Sequence, residues 1–446
     1  MLVIAAFCVV ITIPRFVPFL WNWHIYEWET LPQVLDFQPR DTNAEPLEAA
    51  EEALRPEMAA KSFLRTRIED PADNFASFYE ALWRTERHEP GAVTRILHYG
   101  DSPTTGDLIT ADVRELIQDQ FGDAGHGTYL IAKPWAWYGH RGIESDSSSW
   151  KIDPANMAEV KDGVFGLGGV SFRGGVGAVS NIKLTKAGHT RVTLDYWMQP
   201  GGGSLSLDAD DQPLGTIDTN GEQRTAQKSF ALPAKTRRLT LRVSAGSVRL
   251  FGFAFFKDPP GVLYDSLGLN GAYTRVLATM FDEARWAEEL RQARPQLVIV
   301  NYGTNESVHA NYIEYALDKE LREIVRRIRA AVPGSSILIM SPMDRGEHQP
   351  GGIIGTVPLM PRLVEVQRRV ARETGVAFFD TFQAMGGQGT MGRWYHAEPR
   401  LVSADFIHPL PSGARIVGTL FYKAIMEGYS RHKLRSLRTQ VAHAGS

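Results

Sequence analysis

The sequence predicts an α/β protein built on a parallel sheet and interrupted by an inserted all-β sandwich domain. Three observations predict it. Short apolar runs alternate with stretches of helical spacing on both sides of the middle. Between residues 163 and 258 the texture switches to short alternating segments. Gly- and Asp-rich turns, such as 201–203 and 220–221, punctuate that middle region, and no helical spacing interrupts it.

The elements follow in order. Residues 62–88 carry Phe75, Phe78, Leu82 and Trp83 on one helical stripe. The run TRILHY (94–99) ends in Gly100 and predicts a buried strand. Leu108, Ile109, Val113, Leu116, Ile117 and Phe121 recur at helical spacing, with Thr105 or Asp107 as cap. The middle then offers VTLDYW from 192, SLSLDAD from 204, RLTLRVS from 238 and SVRLFGFAFF from 247, at the strand spacing of a sandwich. After Pro260 the alternation resumes. Strands are predicted at 262–265, 296–302, 336–340 and 376–379, and helices at 272–290, 319–331, 362–373 and 412–426. The β block therefore lies between the first helix and the second strand of an α/β domain.

Composition excludes several classes. The 446 residues correspond to about three domains. With 43% hydrophobic and 22% charged residues, the chain is neither mostly disordered nor a polytopic membrane protein. Lys and Arg number 48 against 51 Asp and Glu, and the resulting net charge of −3 leaves no footprint for nucleic acid. A single cysteine, Cys8, rules out an internal disulfide and any multi-cysteine metal cluster. Residues 1–28 hold two apolar runs split by Pro14 and Arg15, and read as an uncleaved signal-anchor in the membrane. A buried N-terminal helix is the alternative. Residues 29–61, rich in Glu, Pro and Ala, read as a stalk. The location expected from these segments is exported, in a bacterial periplasm or cell envelope.

Four pieces carry the chemistry. Gly100-Asp101-Ser102 sits at a strand-to-helix turn. Gly268-Leu269-Asn270-Gly271 follows the first strand beyond the insert. Gly303-Thr304-Asn305-Glu306 ends the strand QLVIVNY. Asp405-Phe406-Ile407-His408 precedes the last helix. Ligands of open α/β sheets bind beyond the carboxyl ends of the strands, where the first three pieces fall. A serine hydroxyl needs a base to become nucleophilic, histidine supplies one, and a carboxylate fixes the histidine tautomer. Asp405 and His408, three apart, can be presented by one turn. The Ser102 N–H, the Gly271 N–H and the Asn305 amide are suitable donors for an oxyanion. Each residue also has a structural use, such as helix capping for Ser102 or turn formation for Asn305. Trp135, Trp137, Tyr138 and Trp150 fit sugar stacking or core packing equally well. Arg345, His348 and His396 read as solvated loop residues. No histidine pair has metal-ligand spacing, and the proposed chemistry needs neither metal nor cofactor.

On these residues the sequence resembles the SGNH (GDSL-type) hydrolases. Within that family it resembles the peptidoglycan O-acetylesterases and related carbohydrate esterases, whose β insert is similar to a carbohydrate-binding module. The segments KPWAWYGHRG (133–142), YDSLGLNGA (264–272), YGTNE (302–306) and MGGQGTMGRW (385–394) carry the subgroup likeness. The resemblance implies a flavodoxin-like three-layer sandwich with a parallel sheet. Its hydrolase domain would occupy 62–162 and 259–430, around an insert at 163–258 and before a tail at 431–446. It implies Ser102 as nucleophile, His408 as base and Asp405 as the group that orients it. Ser102, Gly271 and Asn305 would form the oxyanion hole, and Trp135, Trp137 and Tyr138 would contact substrate. Two positions depart from the family pattern: Pro103 follows the nucleophile in place of Leu, and Glu306 stands where many members have Asp. The implied activity is removal of O-acetyl groups from a polysaccharide by a monomer. A catalytically silent polysaccharide-binding protein and an O-acetyltransferase with the same triad are the alternatives.

Overall fold

A strand that is covered on both faces has no polar side, so it forms where apolar residues run unbroken. The TRILHY run meets that condition and becomes β1 (Val93–Gly100), buried from Ile96 onward. The structure, a computed structural model, describes residues 67–157 and 162–444. The expected signal-anchor (1–28) and stalk (29–61) lie outside these residues. Among the described residues, no helix is long and apolar enough to cross a membrane.

Before β1 runs α1 (Ala76–Glu86), which buries Phe78, Leu82 and Trp83. It is shorter than the expected 62–88, because Asp70 accepts the backbone N–H groups of Asn74 and Phe75 (2.8 and 2.9 Å) in a preceding turn. The short turn α2 (Ser102–Thr105) and α3 (Leu108–Phe121) follow β1. Nine further strands come next: β2 (Gly127–Tyr129), β3 (Ile143–Pro154), β4 (Val170–Leu184), β5 (Arg191–Met198), β6 (Ser204–Ala209), β7 (Gln212–Asp218), β8 (Arg224–Ala231), β9 (Arg238–Ala245) and β10 (Ser247–Phe256). Alternation then returns with β11 (Gly261–Gly268), α4 (Glu283–Ala293), β12 (Leu297–Asn301), α5 (Ala310–Tyr315), α6 (Leu317–Ala331) and β13 (Ser336–Met340). The chain continues through β14 (Gly346–His348), β15 (Ile354–Thr356), α7 (Met360–Thr374), β16 (Ala377–Phe379), α8 (Thr381–Ala384), α9 (Thr390–Tyr395) and α10 (Pro411–Ala444).

Two main sheets result. The parallel sheet has the order β11-β1-β12-β13-β16. Counted along the chain this is 2-1-3-4-5, the flavodoxin-like order, whose switch point lies between β1 and β12. The antiparallel sheet joins β2 to β10 with the path β7-β6-β9-β4-β10-β5-β8. It extends further toward the N-terminus than the 163–258 block, because β3 pairs with β4 and β2 with β10. A separate pair of sheets was the expectation. Instead hydrogen bonds link all these strands, and the sheet curls until Phe230 on β8 rests against Gly215 on β7.

One hydrophobic core runs from Leu97 and Tyr99 of the parallel sheet through Leu130 to Phe253 and Leu241 of the antiparallel one. Asp265 on β11 reinforces the junction. It takes Arg95 of β1 on both oxygens (2.8 and 3.0 Å) and the Thr128 N–H and hydroxyl of β2 (2.7 and 2.6 Å). A buried carboxylate satisfied in this way fixes geometry, and losing either partner leaves an uncompensated charge.

Two further helices depart from the sequence pattern. The 272–290 stretch breaks at Asp282, whose side chain caps α4 by accepting the Arg285 N–H at 3.0 Å. The last helix passes beyond residue 426 and through the expected tail. Tyr429 and Leu434 remain buried there, and Glu86 accepts from the Tyr429 hydroxyl and Lys433 (2.8 and 2.6 Å).

Candidate active site

Ser102 owes its position to two glycines. A Cβ on Gly100 would lie 2.2 Å from the Thr104 hydroxyl oxygen, and one on Gly268 would lie 2.0 Å from the Thr105 amide nitrogen. Only bare backbone lets α2 sit directly on the ends of β1 and β11. Register does the rest. Gly100 is level with Gly268 on one side and with Asn301 on the other. Ser102, Gly271 and Asn305 each follow within four residues of that level, so all three emerge at the carboxyl end of the sheet, around the switch point.

His408 reaches this place from a closed loop. A bridge between Val402 and Pro409 and a bond from the Ser403 N–H to the His408 carbonyl (2.9 Å) pin the loop's base. Inside it, one Asp405 oxygen accepts from the Ser403 hydroxyl and from the N–H groups of Ile407 (2.9 Å) and His408 (3.0 Å). The other oxygen lies 2.6 Å from His408 Nδ1. His408 Nε2 lies 2.7 Å from Ser102 Oγ. Partial burial would raise the Asp405 carboxyl, but the Ser403, His408 and Ile407 donors outweigh it and hold the group at about 2. An ionised Asp405 favours the His408 tautomer with hydrogen on Nδ1, and the Nε2 lone pair is then available to the serine. The relay can take a proton from Ser102.

The loop has its own constraint. Phe406 adopts φ 59°, a left-handed conformation that costs a bulky residue about 1 kcal/mol or more. Its ring packs edge-on against Tyr395 (centroids 4.9 Å) and His348 (5.0 Å), and its carbonyl accepts the Gly346 N–H at 2.9 Å. These contacts hold the turn that carries Asp405 and His408.

In the 303–306 loop, one Asn305 amide N–H donates to the Ala272 carbonyl at 2.8 Å. That bond ties the 303–306 loop to the Gly271 turn and leaves the second N–H of the amide unused. Gly271 has φ 66°, a region glycine enters without strain. Neither the Ser102 N–H nor the Gly271 N–H meets a backbone acceptor among the described residues. Asn305→Ala is expected to lower kcat about 100-fold with KM little changed, as loss of one oxyanion donor does; steady-state kinetics on 4-nitrophenyl acetate measures it.

Two buried acids stand behind the site. Burial pushes Asp101 up to about 6 against the pull of Thr304, whose hydroxyl and backbone N–H hydrogen-bond to it. Burial likewise pushes Glu306 up to about 8, although the Thr274 N–H donates to it at 2.8 Å. Because the folded protein holds this proton more tightly than the unfolded chain, Glu306 lowers stability progressively as pH rises from about 4.5 to about 8. Glu306→Gln mimics the protonated acid. It is expected to flatten that decline by a few kcal/mol at pH 8 while leaving activity intact. Melting temperature against pH for both proteins checks it, and parallel curves would contradict it.

The structure separates the predicted aromatic residues. Tyr138 is a core residue, 4% exposed, with its hydroxyl accepting the Leu130 N–H at 3.0 Å, so it is not a surface for sugar. Trp135 and Trp150 are half-buried against the core, and the Trp150 ring N–H donates to the Val179 carbonyl (2.9 Å). Trp137 alone of the four stands open, at 57% exposed. Of the three residues expected to be solvated, His348 and His396 are exposed and Arg345 departs from the expectation. Arg345 is half-buried and donates to the Thr304 carbonyl (2.8 Å), beside the Asn305 loop, while His348 packs on Phe406. His396 packs edge-on against Tyr395. The usable signal for Arg345 was its place just beyond the end of β13. For Ser403 and Phe406, contact alone assigns the role. Among the described residues, no group of His, Cys, Asp and Glu could hold a metal ion.

Residues 247–416 match the model of the GDSL-like Lipase/Acylhydrolase family. The chain carries a GDSL-like acylhydrolase domain. The matched segment of this acylhydrolase contains Gly271, Asn305, Asp405 and His408, and β1 returns Ser102 to it from outside. Among solved structures, it is similar to a peptidoglycan O-acetylesterase at 24% identity and TM-score 0.69, over 81% of this chain and 99% of that one. A family two carbohydrate esterase from Clostridium thermocellum aligns much more loosely, at 14% identity and TM-score 0.27, over 56% of this chain and 93% of that one. No curated protein sequence matches the acylhydrolase significantly.

Proposed function

We propose that this esterase removes O-acetyl groups from a cell-envelope or extracellular polysaccharide, with peptidoglycan as the favoured substrate. The observation that carries the reading is the unbroken relay from Ser102 through His408 to Asp405, at the switch point of a flavodoxin-like sheet. Ser102 Oγ attacks the acetyl carbonyl carbon while His408 Nε2 takes its proton. The Asn305 amide and the Ser102 and Gly271 N–H groups receive the negative charge that develops on the carbonyl oxygen. The C–O bond to the sugar breaks, and His408 returns the proton to the departing sugar oxygen. Water then attacks the acetyl-enzyme with His408 again as base, and acetate leaves. Asp405 keeps its negative charge throughout and stabilises the imidazolium formed in each half-reaction.

The choice of polysaccharide draws on the fold shared with the O-acetylesterase, which extends over nearly all of that chain. In this reading the antiparallel sheet is the carbohydrate-binding part, and residues 1–28 anchor the protein in the envelope. The test is acetate release from O-acetylated peptidoglycan, xylan and alginate, with fluorophosphonate labelling of Ser102 alongside. Fastest release from peptidoglycan is the expected result. Release from xylan or alginate alone moves the substrate, and transfer of acetyl to an added glycan makes the protein an acyltransferase. An unlabelled, inactive protein sinks the esterase reading and leaves a silent binding protein.

A further inference from the structure

A large cleft of the described molecule lies away from Ser102. It lies between the antiparallel sheet and the opposite, amino-terminal edge of the parallel one, with Val93 and Gln296 on its floor. Val93 and Gly100 are the two ends of β1, so the cleft is about 23 Å from the catalytic end at ~3.3 Å per residue. Its volume is about 880 Å³, within the roughly 300–1,000 Å³ of small-ligand sites.

The cleft's sheet wall is polar by design of the strand alternation. On β5, Val192, Leu194 and Tyr196 are buried hydrophobic residues, while Thr193 and Asp195 line the cleft. Their register partners on β8, Ser229 and Gln227, line it as well. Thr193 and Ser229 share a hydrogen bond of 2.8 Å. Asp195 is 7% exposed, and its Oδ1 has no hydrogen-bond partner. A buried carboxyl oxygen without a partner is costly, and hydroxyls of a bound ligand would satisfy it.

The rim is cationic. Arg191, Arg291 and Arg294 line the cleft, are exposed, and make no ion pair among the described residues. The Arg191 guanidinium lies 4.0 Å from the Phe256 ring centroid, which orients its fork without using its N–H groups. The one acid of the rim, Glu288, is occupied by the Thr225 hydroxyl at 2.9 Å.

We propose that this cleft binds an acidic oligosaccharide, with its hydroxyls on Asp195, Gln227 and the Thr193–Ser229 pair and its carboxylates on the rim arginines. The site is separate from the esterase centre and does not rest on the O-acetylesterase reading. A polymer held there keeps the enzyme on its substrate, whereas a small ester is indifferent to it.

The test titrates the full chain calorimetrically with hexagalacturonate, and with cellohexaose as a neutral oligomer of similar length. Hexagalacturonate should bind the wild type more tightly than cellohexaose does. The double variant Arg191→Glu/Arg291→Glu should bind it at least about tenfold more weakly, as two reversed charges imply. Arg294→Gln should weaken it in the same direction. Both variants should hydrolyse 4-nitrophenyl acetate at the wild-type rate, which also reports that they are folded. No binding by the wild type, equal binding by the folded variants, or equal affinity for cellohexaose overturns the proposal. A wild type inactive on the small ester counts against the esterase reading alone, and the titration still decides the cleft.

Discussion

Ser102→Ala is expected to lower kcat on 4-nitrophenyl acetate by about 10⁵- to 10⁶-fold, because no other group can form the acyl-enzyme. The fold should hold. Ser102 Oγ makes its bond to His408 Nε2 at 2.7 Å, and alanine keeps the Cβ of this buried residue, so the melting temperature should stay close to wild type. His408→Ala should cost a similar factor, and the double variant should be no worse than either single one. Such non-additivity is the signature of residues acting as a unit, whereas independent contributions would multiply. A residual rate above water is expected from the oxyanion donors. Wild-type-like turnover in either single variant would mean that the relay is not the catalytic centre.

Asp405→Asn should cost about 10⁴-fold in kcat through tautomer reversal. The asparagine oxygen can still accept from Ile407 and His408, which bond Asp405 at 2.9 and 3.0 Å, so the turn persists. Its amide nitrogen then faces His408 Nδ1, which must become the acceptor. The ring hydrogen moves to Nε2, and the lone pair that served Ser102 is gone. Fluorophosphonate labelling of Ser102 should slow in parallel with kcat. Stability gives an independent readout. The folded pKa of Asp405 is depressed to about 2, so its contribution is present above the ordinary value of 3.8 and is lost as pH falls through 2. The wild type should therefore exceed the variant in melting temperature near neutrality, and the gap should close in acid. A variant with normal kcat would show that His408 is oriented by something else.

Much of this was legible in the chain. The strand ends that carry Ser102 and Asn305 announce themselves by unbroken apolar runs closed by glycine. Asp405 and His408 lie within one turn of each other, and a spacing so short is a local property. The antiparallel block was legible where its strands bury one face, as in β6 and β9. It was not legible in β3, whose ESDSSSWKID stretch is mostly exposed and shows no alternation. Its strand state comes from eleven backbone pairings with β4, which no residue type advertises. The end of α10 was hidden in the same way, since Tyr429 is apolar only in the company of Phe121 and Tyr79.

The sequence by itself determined which residue types can do the chemistry and that they emerge at strand ends, because hydrophobic period and turn chemistry act over a few neighbours. Only the tertiary structure decided which side chains share a space. It buried Tyr138 and left Trp137 open, although the two are adjacent. It brought Ser403 and Phe406 into the support of Asp405 and His408, and set Arg345 against the Thr304 carbonyl. It also set the polar face of β5 opposite α4, forming a cleft from residues almost 100 positions apart. Such contacts arise from the packing of whole elements around one core, and pairwise proximity across long sequence separations leaves no trace in local pattern.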